Sequence, residues 1–147
     1  MPTRHQHLVK VRFYELDPYG HLNHSVYVQL FETGRIELLE SVGLGLPDLE
    51  KKDYRLVVSH IETKFLSPAI SGNVVLIQTG VIEERRASLL WEQQMIREDT
   101  VLSTQKVLTA ITDTEGKLIR LPEFVVKALI PYTIHENKAN SQWLTDD

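Results

Sequence analysis

Two patterns of hydrophobic residues follow each other along the first third of the chain. From His7 to Leu16, apolar and polar residues alternate, which is typical of a half-buried β-strand. From Asn23 to Ser41, apolar residues recur every three or four positions and predict one long helix, with Asn23 as its N-cap and Gly43 at its end. Additional aliphatic residues widen this apolar stripe, so we expect the helix to be buried on more than one side.

A tight turn joins these two elements. The segment Asp17-Pro18-Tyr19-Gly20 has Asp, Pro and Gly at the first, second and fourth positions, which are the preferences of a type I turn. The chain therefore reverses or bends between the strand and the helix.

Four further strands are predicted after a loop at residues 44–54 that has room for one helical turn. Their short connections predict antiparallel neighbours. A short helix is expected at Glu123–Leu129, with Pro122 at its first position, and the polar tail at residues 136–147 is expected to be loosely held. The four strands, each rich in Val, Ile, Leu and Thr, span residues 55–65, 73–84, 87–98 and 101–113.

The order of these elements predicts an α+β fold in a single domain, residues 1–147. One long apolar helix can bury its wide stripe only against the antiparallel sheet. Such a sheet has two open edges, and edges of this kind are often closed by a second subunit. We therefore expect a homodimer.

Composition narrows the possible functions. The chain has 147 residues, a net charge of −4 and no cysteine. The charge argues against a nucleic-acid binder, and the lack of cysteine removes disulfides and thiolate zinc sites and favours a reducing compartment. The sequence contains neither a signal-peptide core nor an apolar run long enough to span a bilayer, so we expect a soluble cytoplasmic protein without membrane contacts.

The residues most able to do chemistry lie between the first strand and the helix. Asp17 has two interpretations: it caps its own turn by accepting a backbone N–H, or its carboxylate faces the helix start and acts on a carbonyl carbon. In the second case, helix N–H groups hold the developing oxyanion, and the N–H of His24 is free for this under an Asn23 cap. The sequence leaves both interpretations open.

Other charged or ligating side chains are weaker candidates. His21 and His24 are three residues apart, but no further metal ligands stand at zinc spacing, so we predict no metal site. Glu32 and Arg35 are interpreted as a local ion pair, with a functional buried carboxylate at Glu32 as the alternative. Lys64 and the pair Arg85-Arg86 are ordinary surface charges or, alternatively, contacts for the phosphates of a nucleotide-bearing substrate.

The segment at residues 11–27, VRFYELDPYGHLNHSVY, resembles the signature of hotdog-fold thioesterases of the 4-hydroxybenzoyl-CoA thioesterase family. The later segment KFLSP at residues 64–68, followed by Gly72-Asn73, is similar to the second-strand motif of that family. The resemblance extends over residues 8–131. The first motif, together with ELLESVG at residues 37–43, is most similar to the plant acyl-lipid thioesterases and their bacterial relatives.

This resemblance implies a hotdog fold, in which an antiparallel sheet of about five strands wraps around one long central helix. It implies dimers paired sheet edge to sheet edge, which often form tetramers. It also implies hydrolysis of acyl-CoA or acyl-carrier-protein thioesters to a free acid and a thiol, with no metal or organic cofactor.

The resemblance also implies roles for individual residues. Asp17 matches the catalytic carboxylate, which attacks the thioester carbonyl or activates water, and His24 occupies the position whose backbone N–H binds the thioester oxygen. The acyl chain would lie along the helix near Tyr27 and Phe31. The residues expected to bind substrate are Gly20, Asn23, Tyr27, Phe31, Lys64 and Ser67.

Two alternatives accompany this hypothesis. Gly20-His21-Leu22-Asn23 is faintly similar to the Gly-His-Phe-Pro motif of hotdog acyl-carrier dehydratases, in which the His and a helix Glu transfer protons, but the Pro is absent and Asp17 would have no role. The other is a non-catalytic acyl-CoA-binding hotdog protein. Regulators of that kind carry an additional DNA-binding segment, for which this chain has no room.

Overall fold

Five antiparallel strands form one sheet in the computed structural model, which describes residues 2–134. The strand order is β1-β3-β4-β5-β2, so β1 and β2 are the two edges. The long helix α1 packs against this sheet, and two short helices flank it. The strands are β1 His5–Lys10, β2 Arg55–Phe65, β3 Val74–Glu84, β4 Ser88–Arg97 and β5 Thr100–Thr112, and the helices are α1 His24–Ser41, α2 Leu46–Lys51 and α3 Glu123–Leu129.

The first strand is shorter than predicted. Its neighbour β3 starts at Val74, opposite Lys10, so the residues beyond Val11 have no strand to pair with. They form a 3₁₀ turn at Phe13–Glu15 instead, where the Glu15 carboxylate accepts the backbone N–H of Arg12 at 2.7 Å. The alternation of residue types thus continues past the point where pairing stops.

The predicted long helix is confirmed at both ends. The Asn23 side chain accepts the backbone N–H of Ser25 at 3.1 Å, and Gly43 adopts a left-handed conformation (φ +79°) just after the last turn. At mid-helix, Gly34 lets α1 approach the sheet closely, because a Cβ there would lie 2.5 Å from Ile77 Cγ2.

Burial of α1 differs from the prediction. The face towards the sheet is buried, but the opposite face, with Gln29, Glu32, Thr33 and Glu40, is exposed in the single chain. The helix is therefore buried on one side. Of its additional aliphatic residues, Leu39 is buried, and Val26, Val28 and Ile36 are half-buried at the flanks. The buried residues of α1 are Tyr27, Leu30, Phe31, Gly34, Arg35, Leu38 and Leu39.

One predicted pairing is wrong: β2 and β3 are not neighbours, although a short connection joins them. Residues 66–73 carry the chain across the sheet, past the start of α1, where the backbone N–H of Leu22 donates to the carbonyl of Ala69 at 2.7 Å. Eight residues can span up to about 26 Å, whereas three strand spacings amount to about 14 Å. The connection is therefore long enough to cross two strands, β5 and β4, that form later in the chain.

The remaining elements follow the predictions closely. The expected single helical turn in the loop at residues 44–54 is α2, and α3 has the predicted bounds, although Pro122 is its N-cap and not its first residue. The pairs β3–β4 and β4–β5 are antiparallel hairpins as predicted. The polar tail at residues 136–147 lies outside the described residues.

Candidate active site

The turn before α1 forms at the predicted residues and holds a carboxylate in place. The N–H of Gly20 donates to the carbonyl of Asp17 at 3.1 Å, and the N–H of Asp17 donates to the carbonyl of His21 at 2.7 Å. Gly20 has φ +80°, a conformation that side chains with a Cβ rarely adopt. Isolated pairing between Leu16 and Leu22 closes the hairpin on either side.

The Asp17 carboxylate uses one oxygen for this turn. Oδ1 accepts the backbone N–H of Tyr19 at 2.9 Å and that of His21 at 3.1 Å. Within residues 2–134, no hydrogen bond reaches Oδ2, and the half-buried side chain lines a cleft. Both interpretations of Asp17 thus agree with the geometry, because the oxygen that caps the turn leaves the other one available.

The first turn of α1 brings an open backbone donor to the same cleft. Asn23 Oδ1 accepts the N–H of Ser25 at 3.1 Å and its hydroxyl at 3.0 Å, and the Asn23 carbonyl accepts the N–H of Val26 at 2.9 Å. The structure shows no acceptor among residues 2–134 for the N–H of His24, and the His24 side chain is exposed. Helix N-termini of this kind attract negative charge, because their N–H groups and the helix dipole point the same way.

The cleft has a volume of about 360 Å³ and lies between the Asp17 turn, the start of α1 and the end of β2. Tyr27 is buried beneath it: its ring packs edge-on against Phe65, with centroids 5.1 Å apart, and its hydroxyl accepts the N–H of Ala69 at 3.2 Å. One end of the cleft is therefore polar and the other aromatic and aliphatic. Its lining residues are Asp17, His21, Leu22, His24, Tyr27, Phe65, Leu66, Ser67 and Pro68.

The structure brings together some of the residues predicted for the site and separates others. Asp17, His24, Tyr27 and Ser67 line the cleft, while Gly20 and Asn23 shape its backbone. Phe31 is fully buried in the core beneath α1 and does not line the cleft.

Lys64 also lies apart from the cleft. It borders a separate depression with Glu92, Gln94 and Thr104. Successive strand residues point to opposite faces, so Phe65 faces the cleft and Lys64 faces away. The contribution of Phe65 and Leu66 was missed from the sequence, although the alternation along β2 is the signal that separates Phe65 from Lys64.

The predicted ion pair between Glu32 and Arg35 is not formed. Within residues 2–134, no carboxylate lies within 4.0 Å of the Arg35 guanidinium, whose Nη1 donates to Gln93 Oε1 at 2.9 Å and to Gln105 Oε1 at 3.1 Å. Burial lowers the pKa of Arg35 below its ordinary value, and the charge of Glu32 opposes that shift. Glu32 itself is exposed, so the alternative of a buried carboxylate is wrong for the single chain.

The other charged and metal-binding candidates from the sequence do not contribute to the cleft. Arg85 pairs with Glu83 on the surface at 3.1 Å, as its interpretation as an ordinary charge predicts. The described part of the chain contains no cluster of three residues able to hold a metal ion. No helix among residues 2–134 is long and apolar enough to cross a membrane.

An antiparallel sheet packed on one long helix, with a carboxylate beside the helix start, is the hotdog arrangement that the motifs imply. The chain belongs to the thioesterase-like superfamily, whose family model matches residues 11–129. The motif resemblance and the predicted fold are thereby confirmed.

Individual relatives agree with this assignment. The chain is 27% identical over 128 residues to the chloroplastic acyl-acyl carrier protein thioesterase ATL3 of Arabidopsis thaliana, covering 85% of this chain and 67% of that protein. It is 28% identical over 120 residues to the acyl-CoA thioester hydrolase YbgC of Escherichia coli O6:H1, covering 80% and 90%. A probable thioesterase from Bartonella henselae has a solved structure with a TM-score of 0.77 and 31% identity, covering 81% and 99%.

Proposed function

We propose that this protein hydrolyses acyl thioesters, with Asp17 as nucleophile or general base and the His24 N–H as oxyanion donor. One observation carries the proposal. Asp17 and His24 line the same cleft, and neither Asp17 Oδ2 nor the backbone N–H of His24 has a hydrogen-bond partner among residues 2–134. A carboxylate and an oxyanion donor are the two groups that acyl transfer to water requires.

The chemistry follows from these positions. The thioester carbonyl oxygen accepts the His24 N–H, so the charge that develops on this oxygen is stabilised by the helix N-terminus. Asp17 either attacks the carbonyl carbon directly, forming a mixed anhydride that water then hydrolyses to regenerate the carboxylate, or removes a proton from the water that attacks the carbonyl carbon. The C–S bond breaks, the thiolate takes up a proton, and the products are a free acid and a thiol.

Acyl-CoA and acyl-carrier-protein thioesters are the proposed substrates. Support comes from the names of the two relatives, one an acyl-acyl carrier protein thioesterase and the other an acyl-CoA thioester hydrolase. The acyl chain is proposed to leave the polar end of the cleft and lie against Tyr27 and Phe65, since both rings flank its apolar end.

A second copy of the chain is proposed to complete the cleft. The edge strand β2 exposes a row of apolar side chains, and Phe65 at the cleft is itself 53% exposed. Pairing of two β2 edges would cover these residues and remove an open strand edge, which in monomers is an aggregation hazard. Association of such dimers into tetramers, the single domain over residues 1–147 and a cytoplasmic location remain proposals from the sequence. The exposed apolar residues of this edge are Val57, Val58, Ile61 and Phe65 in β2, and Leu66 directly after it.

The test is a screen of the purified protein against short, medium, long and aromatic acyl-CoAs, and against acyl-carrier proteins, by release of free thiol. Asp17→Asn is measured in parallel. We expect at least one thioester to be cleaved, and the variant to lose most of the activity. Cleavage of no thioester, or a fully active Asp17→Asn protein, would contradict the proposal.

A hydratase or dehydratase acting on enoyl thioesters is the second candidate. It draws on one observation, that His21 lines the cleft beside Asp17. This reaction would appear as reversible hydration of an enoyl thioester without release of thiol, and it would be abolished by His21→Ala. Thiol release that survives His21→Ala decides against it.

A further inference from the structure

A second, smaller cavity lies further along the seam between α1 and β2. It has a volume of about 60 Å³, and most of its wall is apolar. Arg35 lines it from α1, and Glu32 stands beside it. The apolar wall includes Ile36, Leu39, Leu56, Val58 and Trp91.

Arg35 brings unsatisfied donors to this cavity. The residue is only 5% exposed, and its Nη1 is occupied by Gln93 and Gln105. Its Nε and Nη2 have no hydrogen-bond acceptor among residues 2–134. Arg35 itself lines the cavity, so we place these open N–H groups at the cavity surface.

Donors left unpaired in an apolar cavity are costly, so an acceptor is expected there when water is excluded. The acceptor is best uncharged, because Glu32 also lines the cavity and its negative charge already offsets part of the charge of the Arg35 guanidinium. The Oε1 atoms of Gln93 and Gln105 accept from Nη1, and within residues 2–134 neither forms a hydrogen bond with Nε or Nη2.

The cavity lies within reach of an acyl chain held in the cleft. Both are bounded by α1 and β2: the cleft by Tyr27 and Phe65, the cavity by Arg35 and Val58. Arg35 follows His24 by eleven positions, which correspond to about 16 Å along the helix axis. A medium-length acyl chain can cover that distance, whereas a short one cannot.

We propose that the cavity at Arg35 binds an uncharged oxygen, a hydroxyl or a carbonyl, near the far end of a medium-chain acyl group. This inference rests on the proposed function, because it places the thioester end of the substrate in the cleft. It makes Arg35 a specificity-determining residue, which selects oxygenated acyl chains over plain ones.

The first experiment measures binding and needs no catalysis. Isothermal titration calorimetry compares dodecanoic acid with omega-hydroxydodecanoic acid, and hexanoic acid with omega-hydroxyhexanoic acid. We expect the hydroxyl to tighten binding about tenfold or more in the long pair, the usual gain from a hydrogen bond to a charged group, and to leave the short pair unchanged. Equal binding of the two long acids, or binding of neither, overturns the inference.

The second experiment assigns the preference to Arg35. In Arg35→Gln, the ratio of the two long-chain affinities should fall to about one. In the control Arg55→Gln, which removes a surface arginine paired with Glu50, the ratio should stay as in the wild type. If the folded Arg35→Gln protein still prefers omega-hydroxydodecanoic acid, the role of Arg35 is contradicted. If Arg35→Gln converts the protein to a monomer, the role is contradicted as well, because the open donors of Arg35 would then bind a second copy of the chain.

A third comparison covers the case in which Arg35→Gln does not fold. Dodecanedioic acid, which carries a distal carboxylate, should bind the wild type more weakly than the hydroxy acid, and Glu32→Gln should reduce that difference. If the wild type binds dodecanedioic acid more tightly than omega-hydroxydodecanoic acid, the cavity does not favour an uncharged oxygen, and the inference is overturned. Hydrolysis is scored separately: a hydroxyl preference without thiol release from any thioester refutes the proposed function and leaves the binding site in place.

Discussion

The chain contains two turns of nearly identical geometry, one at Asp17 and one at Asp113. In each, the aspartate Oδ1 accepts the backbone N–H groups two and four residues later, at 2.9 and 3.1 Å for Asp17 and at 2.9 Å twice for Asp113. In each, a glycine three residues on, Gly20 or Gly116, has a positive φ. Each is closed by an isolated antiparallel pair one residue before and five residues after the aspartate.

The surroundings of the two turns differ. Asp17 lies beside the start of an eighteen-residue helix and lines a cleft. The Asp113 turn packs instead on an exposed loop, where Asp53 Oδ1 accepts the backbone N–H and the hydroxyl of Thr114. The turn geometry is therefore a structural device that the chain uses twice. What makes Asp17 a candidate for catalysis is the open helix N–H across the cleft.

Replacement of the turn glycines should produce the largest combined effect. Gly20→Ala and Gly116→Ala each force a residue with a Cβ into the left-handed region, and we expect each to cost about 1–2 kcal/mol of unfolding free energy. Only Gly20→Ala should also lower kcat/KM, because it shifts the carboxylate of Asp17. Urea unfolding and thiol-release kinetics on both variants check this prediction. An equal loss of activity in the two variants would show that the Asp17 turn has no special role in catalysis.

Removal of the helix cap should give the next largest effect. Asn23→Ala deletes the acceptor for the N–H of Ser25, and we expect a loss of about 1 kcal/mol in unfolding free energy. Activity should fall as well, since the first turn of α1 positions the N–H of His24. Asn23→Ser keeps a capping oxygen and is the control. If Asn23→Ala loses stability but no activity, the helix start is not the oxyanion site.

Truncation of the His24 side chain should have a small effect. The proposed oxyanion donor is the backbone N–H, which remains in His24→Ala, and the ring is exposed. We expect kcat/KM to fall by much less than in Asp17→Asn when the same thioester is assayed. Equal losses in the two variants would assign the role to the imidazole ring.

Acid should affect the Asp113 turn through its neighbour Asp53. Hydrogen bonds from the Thr114 side chain and backbone hold the pKa of Asp53 below its ordinary value. The folded state therefore favours the ionised form, so the associated stability is present above the pKa of the unfolded chain and is lost as the pH falls through the lower folded value. Asp53→Asn should flatten the decline of Tm with acid slightly, and an unchanged slope would count against this contribution.

Local features of the site were predictable from the sequence because neighbouring residues determine them. The turn at Asp17, the Asn23 cap and the open N–H of His24 all depend on side chains within four residues. The long helix likewise follows from its apolar spacing and its end signals.

Features that depend on pairing across the sheet were not predictable in this way. The place of β2 at the edge of the sheet depends on β5, whose paired residues follow those of β2 by 38 positions at Phe65–Ser103 and by 57 at Arg55–Thr112. Arg35 finds its partners, Gln93 and Gln105, 58 and 70 residues later, where the sequence suggested only the nearby Glu32. Phe31 was expected at the substrate and lies in the core, because apolar spacing along a helix does not distinguish a core contact from a pocket contact.

The most direct test of the account compares kcat/KM for Asp17→Asn and Asp113→Asn on whichever acyl thioester the wild type cleaves best. Asparagine keeps the Oδ1 acceptor of each turn, so both variants should fold and unfold like the wild type. We predict that kcat/KM falls about 100-fold or more in Asp17→Asn, since a general base usually contributes at least that much to the rate. In Asp113→Asn, kcat/KM should stay at the wild-type value. Retention of activity by Asp17→Asn, or an equal loss in both variants, would contradict the assignment of catalysis to Asp17.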